Sequence, residues 1–217
     1  MERNDTLRHQ GLRKRLVDGL KIKGIRDDRV LAAMGRIPRH LFMDSGFLHF
    51  AYKDQAFPIG AGQTISQPYT VAFQSQLLQI ASNDKVLEVG TGSGYQAAVL
   101  CEMGARVFTI ERQKELYQKV HKFLPSIGYS PACFFGDGYK GLPAFAPFDK
   151  IIVTAGAPNI PEELRLQLKI GGRMVIPVGD NNKQEMYVLI RESESEFKTE
   201  RHGRFMFVPM LKGTVNI

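Results

Sequence analysis

The sequence predicts a doubly wound α/β architecture: a mainly parallel sheet with helices on both faces, a helical N-terminal cap and an antiparallel C-terminal edge. Three observations predict it. From Val86 onward strand-like and helix-like segments alternate, one apolar run breaks into glycines at 90, 92 and 94 before a helix-forming segment, and the last strand-like segments follow one another directly. Alternation of this kind gives parallel strands joined by right-handed crossovers. Strands without a helix between them pair antiparallel.

The elements follow in order. Leu12, Leu16 and Leu20, with Val17 beside them, give a helix over Asp5–Lys21 one apolar stripe, and Gly24 ends it. A second helix, Asp27–Gly35, opens on two acids suited to a helix N-terminus. Pro38 forces an extended step before a short helical piece. Phe57–Pro68, with two prolines and two glycines, reads as a long loop, and Pro68 then starts a helix that ends near Ala81. Strands are expected at Val86–Val89, Arg106–Ile110, Ala132–Phe135, Lys150–Thr154, Arg173–Val178, Met186–Ile190 and Phe197–Pro209. Helices fit at Gly94–Met103, Lys114–Leu124 and Pro161–Leu168.

At 217 residues, 43% hydrophobic and 24% charged, the chain has the composition of an ordinary globular protein and reads as a single domain. Within it, 1–81 forms the cap and an active-site loop, and 82–217 the α/β core. No apolar run approaches the roughly 18 residues that span a bilayer, so no membrane partner is expected. The first residues lack the apolar core of a signal peptide, which makes cytoplasmic the default location. Cys101 and Cys133 form no disulfide framework and read as buried small hydrophobes. His9, His40, His49, His121 and His202 show no ligand spacing, so no metal is expected. The net charge of +7 is concentrated in the first helix, at Arg8, Arg13, Lys14, Arg15, Lys21 and Lys23. Without an aromatic stacking pattern or a nucleic-acid motif it reads as a solvated face, which disfavours a nucleic-acid partner. Nothing fixes an oligomeric state.

The junction Lys85–Leu100 is the candidate site. A strand that ends in a glycine turn and a helix N-terminus directs unpaired N–H groups and a dipole at a ligand. The dinucleotide fingerprint places its third glycine three residues after the second, and here the interval is two. Glu88 argues further against a phosphate: like charges about 4 Å apart cost on the order of 4 kcal/mol at an effective dielectric near 20. A cationic ligand reverses the sign. S-adenosyl-L-methionine carries an ammonium and a sulfonium, with an adenosine that further acids can hold. Glu111 ends the second strand where a ribose diol would be gripped, and Asp137 ends the third, placed to meet an adenine amino group. Three acids around one glycine turn point to a Rossmann-like class I methyltransferase sheet. For each acid, a cap or turn role is the alternative.

Longer motifs narrow the resemblance. Gly60-Ala61-Gly62-Gln63-Thr64-Ile65-Ser66-Gln67-Pro68 followed by Glu88-Val89-Gly90-Thr91-Gly92-Ser93-Gly94-Tyr95 resembles the protein-L-isoaspartate O-methyltransferases, bacterial type. Ile37-Pro38-Arg39-His40-Leu41-Phe42, Gly136-Asp137-Gly138, Phe148–Ala157, Gly171–Gly179 and Phe207-Val208-Pro209-Met210 extend it over nearly the whole chain after Arg36. The resemblance implies transfer of a methyl group from S-adenosyl-L-methionine, leaving S-adenosyl-L-homocysteine, to the carboxylate of L-isoaspartyl residues in damaged proteins and peptides. Repair then proceeds through a succinimide.

It also implies residue roles. Ser66 matches the active-site serine; Gln63, Thr64, Ile65 and Ser66 match a loop over the cofactor. Glu88, Gly90 and Gly92 match the methionine side of the pocket, Glu111 the ribose contact, Asp137 and Gly138 the adenine contact. Ser66, Val208 and Pro209 match substrate-binding positions, the last two by main-chain pairing along an edge. Val71 stands where some members carry histidine. Chemically, a carboxylate acceptor is already ionised at neutral pH and needs no general base, which suits a loop of hydroxyls and amides. The alternative is another class I methyltransferase, acting on RNA or a small molecule.

Overall fold

The computed structural model describes residues 4–180 and 183–216. Helix α1 spans Leu7–Ile22 and opens on a capping box in which Thr6 and His9 satisfy each other's backbone N–H groups. Helix α2, Asp28–Arg36, is capped by Asp27, whose carboxylate accepts from the N–H of Arg29 and Val30. Two short 3-10 turns follow, at Arg39–Phe42 and Ser45–Phe50.

The segment expected to be a loop folds as a hairpin, β1 (Phe57–Gly60) against β2 (Gln63–Ile65). Its two central residues both have positive φ, Ala61 at 50° and Gly62 at 66°, the geometry that matches the twist of a tight hairpin. Strands this short, interrupted by Pro58, leave no alternation to read. Ile59 and Ile65 are buried and anchor the hairpin to the body. Helix α3, Pro68–Leu78, starts on proline and ends on Gln79 in the left-handed region.

The main sheet has seven strands in the order β5-β4-β3-β6-β7-β8-β9. These are β3 (Lys85–Val89), β4 (Arg106–Glu111), β5 (Ala132–Phe135), β6 (Phe148–Val153), β7 (Leu168–Asp180), β8 (Lys183–Arg191) and β9 (Phe197–Phe205). The first five of them are parallel, while β8 and β9 pair antiparallel at the edge. The helices between them are α4 (Tyr95–Glu102), α5 (Lys114–Ser126) and α6 (Glu162–Leu166).

Two apolar clusters bury the faces unequally. Residues of α1 to α5, such as Leu20, Met34, Val71, Leu100 and Val120, pack on one face. The other is covered by Leu164 of the short α6 and by Leu142 and Phe145 from irregular chain. Helix α6 is shorter than the sequence suggests because the chain enters β7 at once, passing Gly171 at φ 78°. Cys101 and Cys133 are half-buried rather than buried, and their surroundings push the thiols up to about 12 and about 11. Arg13, expected on a solvated face, is buried: it pairs with both Asp5 oxygens at 2.9 Å and donates to the Gly35 carbonyl at 2.7 Å.

Candidate active site

The chain leaves β3 toward β4 and β5 on one side and later returns to place β6 on the other. The carboxyl ends of β3 and β6 therefore flank the point where strand order reverses, the usual ligand crevice of an open α/β sheet. A cleft of about 820 Å³ opens there. Its floor is the turn Gly90–Ser93, with Thr154 and Ala155 after β6; Gln63, Thr64 and Ser66 wall it from the hairpin side, and Val208 to Leu211 from the C-terminal side.

The turn holds its shape by backbone chemistry that only glycine permits. Gly90 sits at φ 98°, and a Cβ there would lie 2.5 Å from Thr154 Oγ1. That hydroxyl donates toward the carbonyls of Val89 and Gly90, which fastens the end of β3 to the end of β6.

The three acids take different places. Glu111 lines the cleft, where its two oxygens accept from the N–H of Gly92 and Gln113, each at 2.8 Å. Asp137 behaves as a cap: one oxygen accepts from Tyr139 N–H at 2.9 Å and the other from Gly213 N–H at 2.8 Å, while its neighbour Gly138 lines the cleft. A carboxylate has about four lone-pair sites, so both acids retain acceptor capacity.

Glu88 corrects the sequence-based argument. It is fully buried beneath the turn and does not line the cleft. Oε2 accepts from the Thr109 hydroxyl at 2.6 Å, and Oε1 is buried with no partner. Burial pushes its carboxyl up to about 8, helped by nearby Glu111 and opposed by the Thr109 hydrogen bond. In the free protein the group is mostly neutral at pH 7, so it repels no phosphate by direct charge.

The residues of β2 and its exit divide between cleft and core. Gln63, Thr64 and Ser66 face the cleft, whereas Ile65, 1% exposed, points into the core. Ser66 is not a helix cap, since the N-cap of α3 is Gln67. Among the described residues its hydroxyl has no hydrogen-bond partner, and the Ser66 carbonyl accepts from Arg39 Nη2 at 2.9 Å. Arg39 is fully buried, stacks over the Tyr95 ring at 4.7 Å and donates from Nε to the Ala51 carbonyl. Val71 is buried and lines the cleft.

Val208 and Pro209 do not lie on an edge strand. β9 ends at Phe205, and the following segment crosses to Gly156, which donates to the Val208 carbonyl and accepts from Met210 N–H, both at 2.8 Å. The Val208 carbonyl is engaged by Gly156 and Pro209 has no N–H, so among the described residues the groups left for main-chain pairing with a peptide are the Val208 N–H and the Pro209 carbonyl. Buried Gln184 pins the segment by accepting from Phe207 N–H at 2.8 Å.

The sequence assigned no role to Arg39, Thr91, Thr109, Thr154 or Gln184, although Arg39, Thr91 and Thr154 lie inside the quoted motifs. Asp5, His9 and His40, far from ligand spacing in the sequence, meet within 4.8 Å, and each Asp5 oxygen accepts from Arg13.

The family model of the protein-L-isoaspartate (D-aspartate) O-methyltransferases matches residues 11–215. The chain is 62% identical over 209 residues to the protein-L-isoaspartate O-methyltransferase of Christiangramia forsetii, covering 96% of this chain and 98% of that one. It is 59% identical to the Flavobacterium psychrophilum protein of the same name, covering 96% and 98%. Among solved structures, a protein-L-isoaspartate O-methyltransferase superposes with TM-score 0.81 at 28% identity, over 91% of this chain and 65% of that one. Another, from Plasmodium falciparum in complex with S-adenosyl-L-homocysteine, gives TM-score 0.79 at 24% identity over 93% and 99%, a likeness of fold. Among the described residues no helix is long and apolar enough to cross a membrane.

Proposed function

The chain belongs to the protein-L-isoaspartate O-methyltransferase family, and from that premise we propose how its cleft works. It is an S-adenosyl-L-methionine-dependent carboxyl methyltransferase that acts on L-isoaspartyl residues of damaged proteins and initiates their repair. The observation that carries the site reading is the meeting of the glycine turn and the Ser66 hairpin in one cleft.

The cleft suits the methyl donor. Backbone lies bare at Gly90 and at Gly138, where a Cβ would come within 2.6 Å of Val89; Glu111 sits on the wall, and an unpartnered Glu88 oxygen lies beneath the turn. When bound, S-adenosyl-L-methionine supplies a methyl group activated by its sulfonium. Glu111 takes the ribose diol, Asp137 and Gly138 the adenine, and Gly90 and Gly92 the methionine end, with Glu88 acting on it from beneath the turn. Gln63, Thr64 and Ser66 cover the ligand and exclude water, with Ile65 as the anchor of that cover. The Ser66 hydroxyl donates to the isoaspartyl carboxylate and orients one oxygen for attack. Val208 and Pro209 contact the peptide, the Val208 N–H and the Pro209 carbonyl being the main-chain groups left to pair with it.

The methyl ester carries a better leaving group than the carboxylate does, so the neighbouring peptide nitrogen attacks its carbonyl and closes a succinimide with loss of methanol, and hydrolysis returns some normal aspartate. The N-terminal cap and the α/β core act as a single domain, since each contributes walls to the same cleft. A cytoplasmic location is supported by two cysteines that remain free thiols. An RNA or small-molecule acceptor gains no support from the relatives.

Labelled S-adenosyl-L-methionine offered with matched isoaspartyl and aspartyl peptides tests the reading. Label is expected in the isoaspartyl peptide alone; equal labelling of both would overturn it.

A further inference from the structure

Beneath the glycine turn a row of polar groups runs from the core to the cleft. Glu88 of β3 and Thr109 of β4 are register partners in the sheet, so their side chains share one face. Thr109 Oγ1 is 2.6 Å from Glu88 Oε2 and 2.6 Å from Thr91 Oγ1. Glu88 and Thr109 are fully buried, whereas Thr91 lines the cleft. Each threonine hydroxyl has one proton, so the three groups form an unbranched chain whose direction is set at the carboxyl end.

Resting on the methyltransferase reading of the site, we propose that Glu88, Thr109 and Thr91 form a hydroxyl relay that couples binding of the cationic methyl donor to release of one proton. With Glu88 protonated, its O–H donates to Thr109, Thr109 donates to Thr91, and the Thr91 O–H points to the cleft. A cation in the cleft disfavours that outward proton. The Thr91 proton then leaves to water, the Thr109 proton passes to Thr91 and the Glu88 proton to Thr109; one O–H bond breaks and one forms at each hydroxyl. Glu88 is left ionised, every donor points inward, and Thr91 offers lone pairs to the cation. Thr109 and Thr91 are positioning residues for the reaction.

The surroundings suit a carboxyl that changes charge. Glu111 approaches from the end of β4, Cys101 from α4 and Cys133 from β5, and none of them is a cation. Burial holds the free carboxyl protonated at neutral pH, so a proton is available for release.

The test is calorimetric titration of the whole protein with S-adenosyl-L-methionine at about pH 7, in buffers of different ionisation enthalpy. The wild type is expected to release on the order of one proton on binding. Thr109→Val, which keeps shape and removes the hydroxyl, is expected to release less than about a third of that and to bind about tenfold more weakly. Thr109→Ser is expected to restore both. Thr91→Val, cut at the cleft end, is expected to match Thr109→Val and serves if the buried variant does not fold. Binding without proton exchange by the wild type, or a folded valine variant that releases the same proton, overturns the relay alone. Absence of wild-type binding overturns the site reading itself.

Discussion

Arg39, with no exposed surface, holds Ser66 by its backbone: Nη2 donates to the Ser66 carbonyl at 2.9 Å while the hydroxyl stays free toward the cleft. A buried cation used in this way fixes the orientation of the hairpin exit without occupying the site. Arg39→Lys keeps the charge but not the fork that reaches both Ala51 and Ser66. Turnover on an isoaspartyl peptide is expected to fall about tenfold, with S-adenosyl-L-methionine affinity changed less than about threefold. Steady-state kinetics beside calorimetry check this, and unchanged turnover would deny Arg39 its positioning role.

Ser66→Ala removes the donor assigned to the substrate carboxylate. On the scale of a single lost donor to a reacting oxygen, kcat is expected to drop on the order of a hundredfold, with little change in fold or cofactor affinity. A variant as fast as the wild type would show that the carboxylate is oriented by something else.

Glu88 makes free-protein stability depend on pH with a definite sign. Its folded value is raised from 4.5 to about 8, so folding favours the protonated form. The contribution is fully present below the unfolded value and is lost as pH rises through the folded one, by about 1.4 kcal/mol per pH unit between them. Glu88→Gln mimics the protonated state at every pH. Its Tm is expected to match the wild type near pH 5 and exceed it above about pH 8, while cofactor binding weakens. Parallel melting curves across that range, or a variant less stable at high pH, would contradict the assignment.

Gly90→Ala places a methyl group 2.5 Å from Thr154 Oγ1, at a φ of 98° that L-residues rarely adopt. A loss of about 2–4 kcal/mol in stability and a large loss of cofactor affinity are expected, read by chemical denaturation and calorimetry. Thr154→Ser, which keeps the hydroxyl, is expected to leave both nearly unchanged.

Val208→Asp puts a charge on the C-terminal wall at a half-buried position beside exposed Pro209. The KM for an isoaspartyl peptide is expected to rise about tenfold, whereas the Kd for the methyl donor stays within about twofold. An unaltered KM would remove this segment from the peptide site.

The parallel core was legible because its signals are local. Val86–Val89 is largely apolar, the glycines punctuate it, and helix-forming segments lie on either side. The antiparallel edge followed from missing helices. The hairpin was not legible, since three or four residues around Pro58 carry no period. Nor could the strand pattern say that the Glu88 carboxyl stays below the turn instead of entering the cleft, which depends on how β4 and α4 pack against it. Arg39 with Ser66 and Gln184 with Phe207 are contacts between distant parts of the chain, and no local pattern announces them.

The cleft is floored by residues near position 90 and closed by the segment at Val208, which follows β7, β8 and β9 in the chain and docks on Gly156. A chain emerging N-terminus first therefore completes the floor early and the opposite wall late. A growing or partly folded molecule has a glycine turn but no finished pocket. Methyl-donor binding is therefore expected only of a chain whose C-terminal wall has docked.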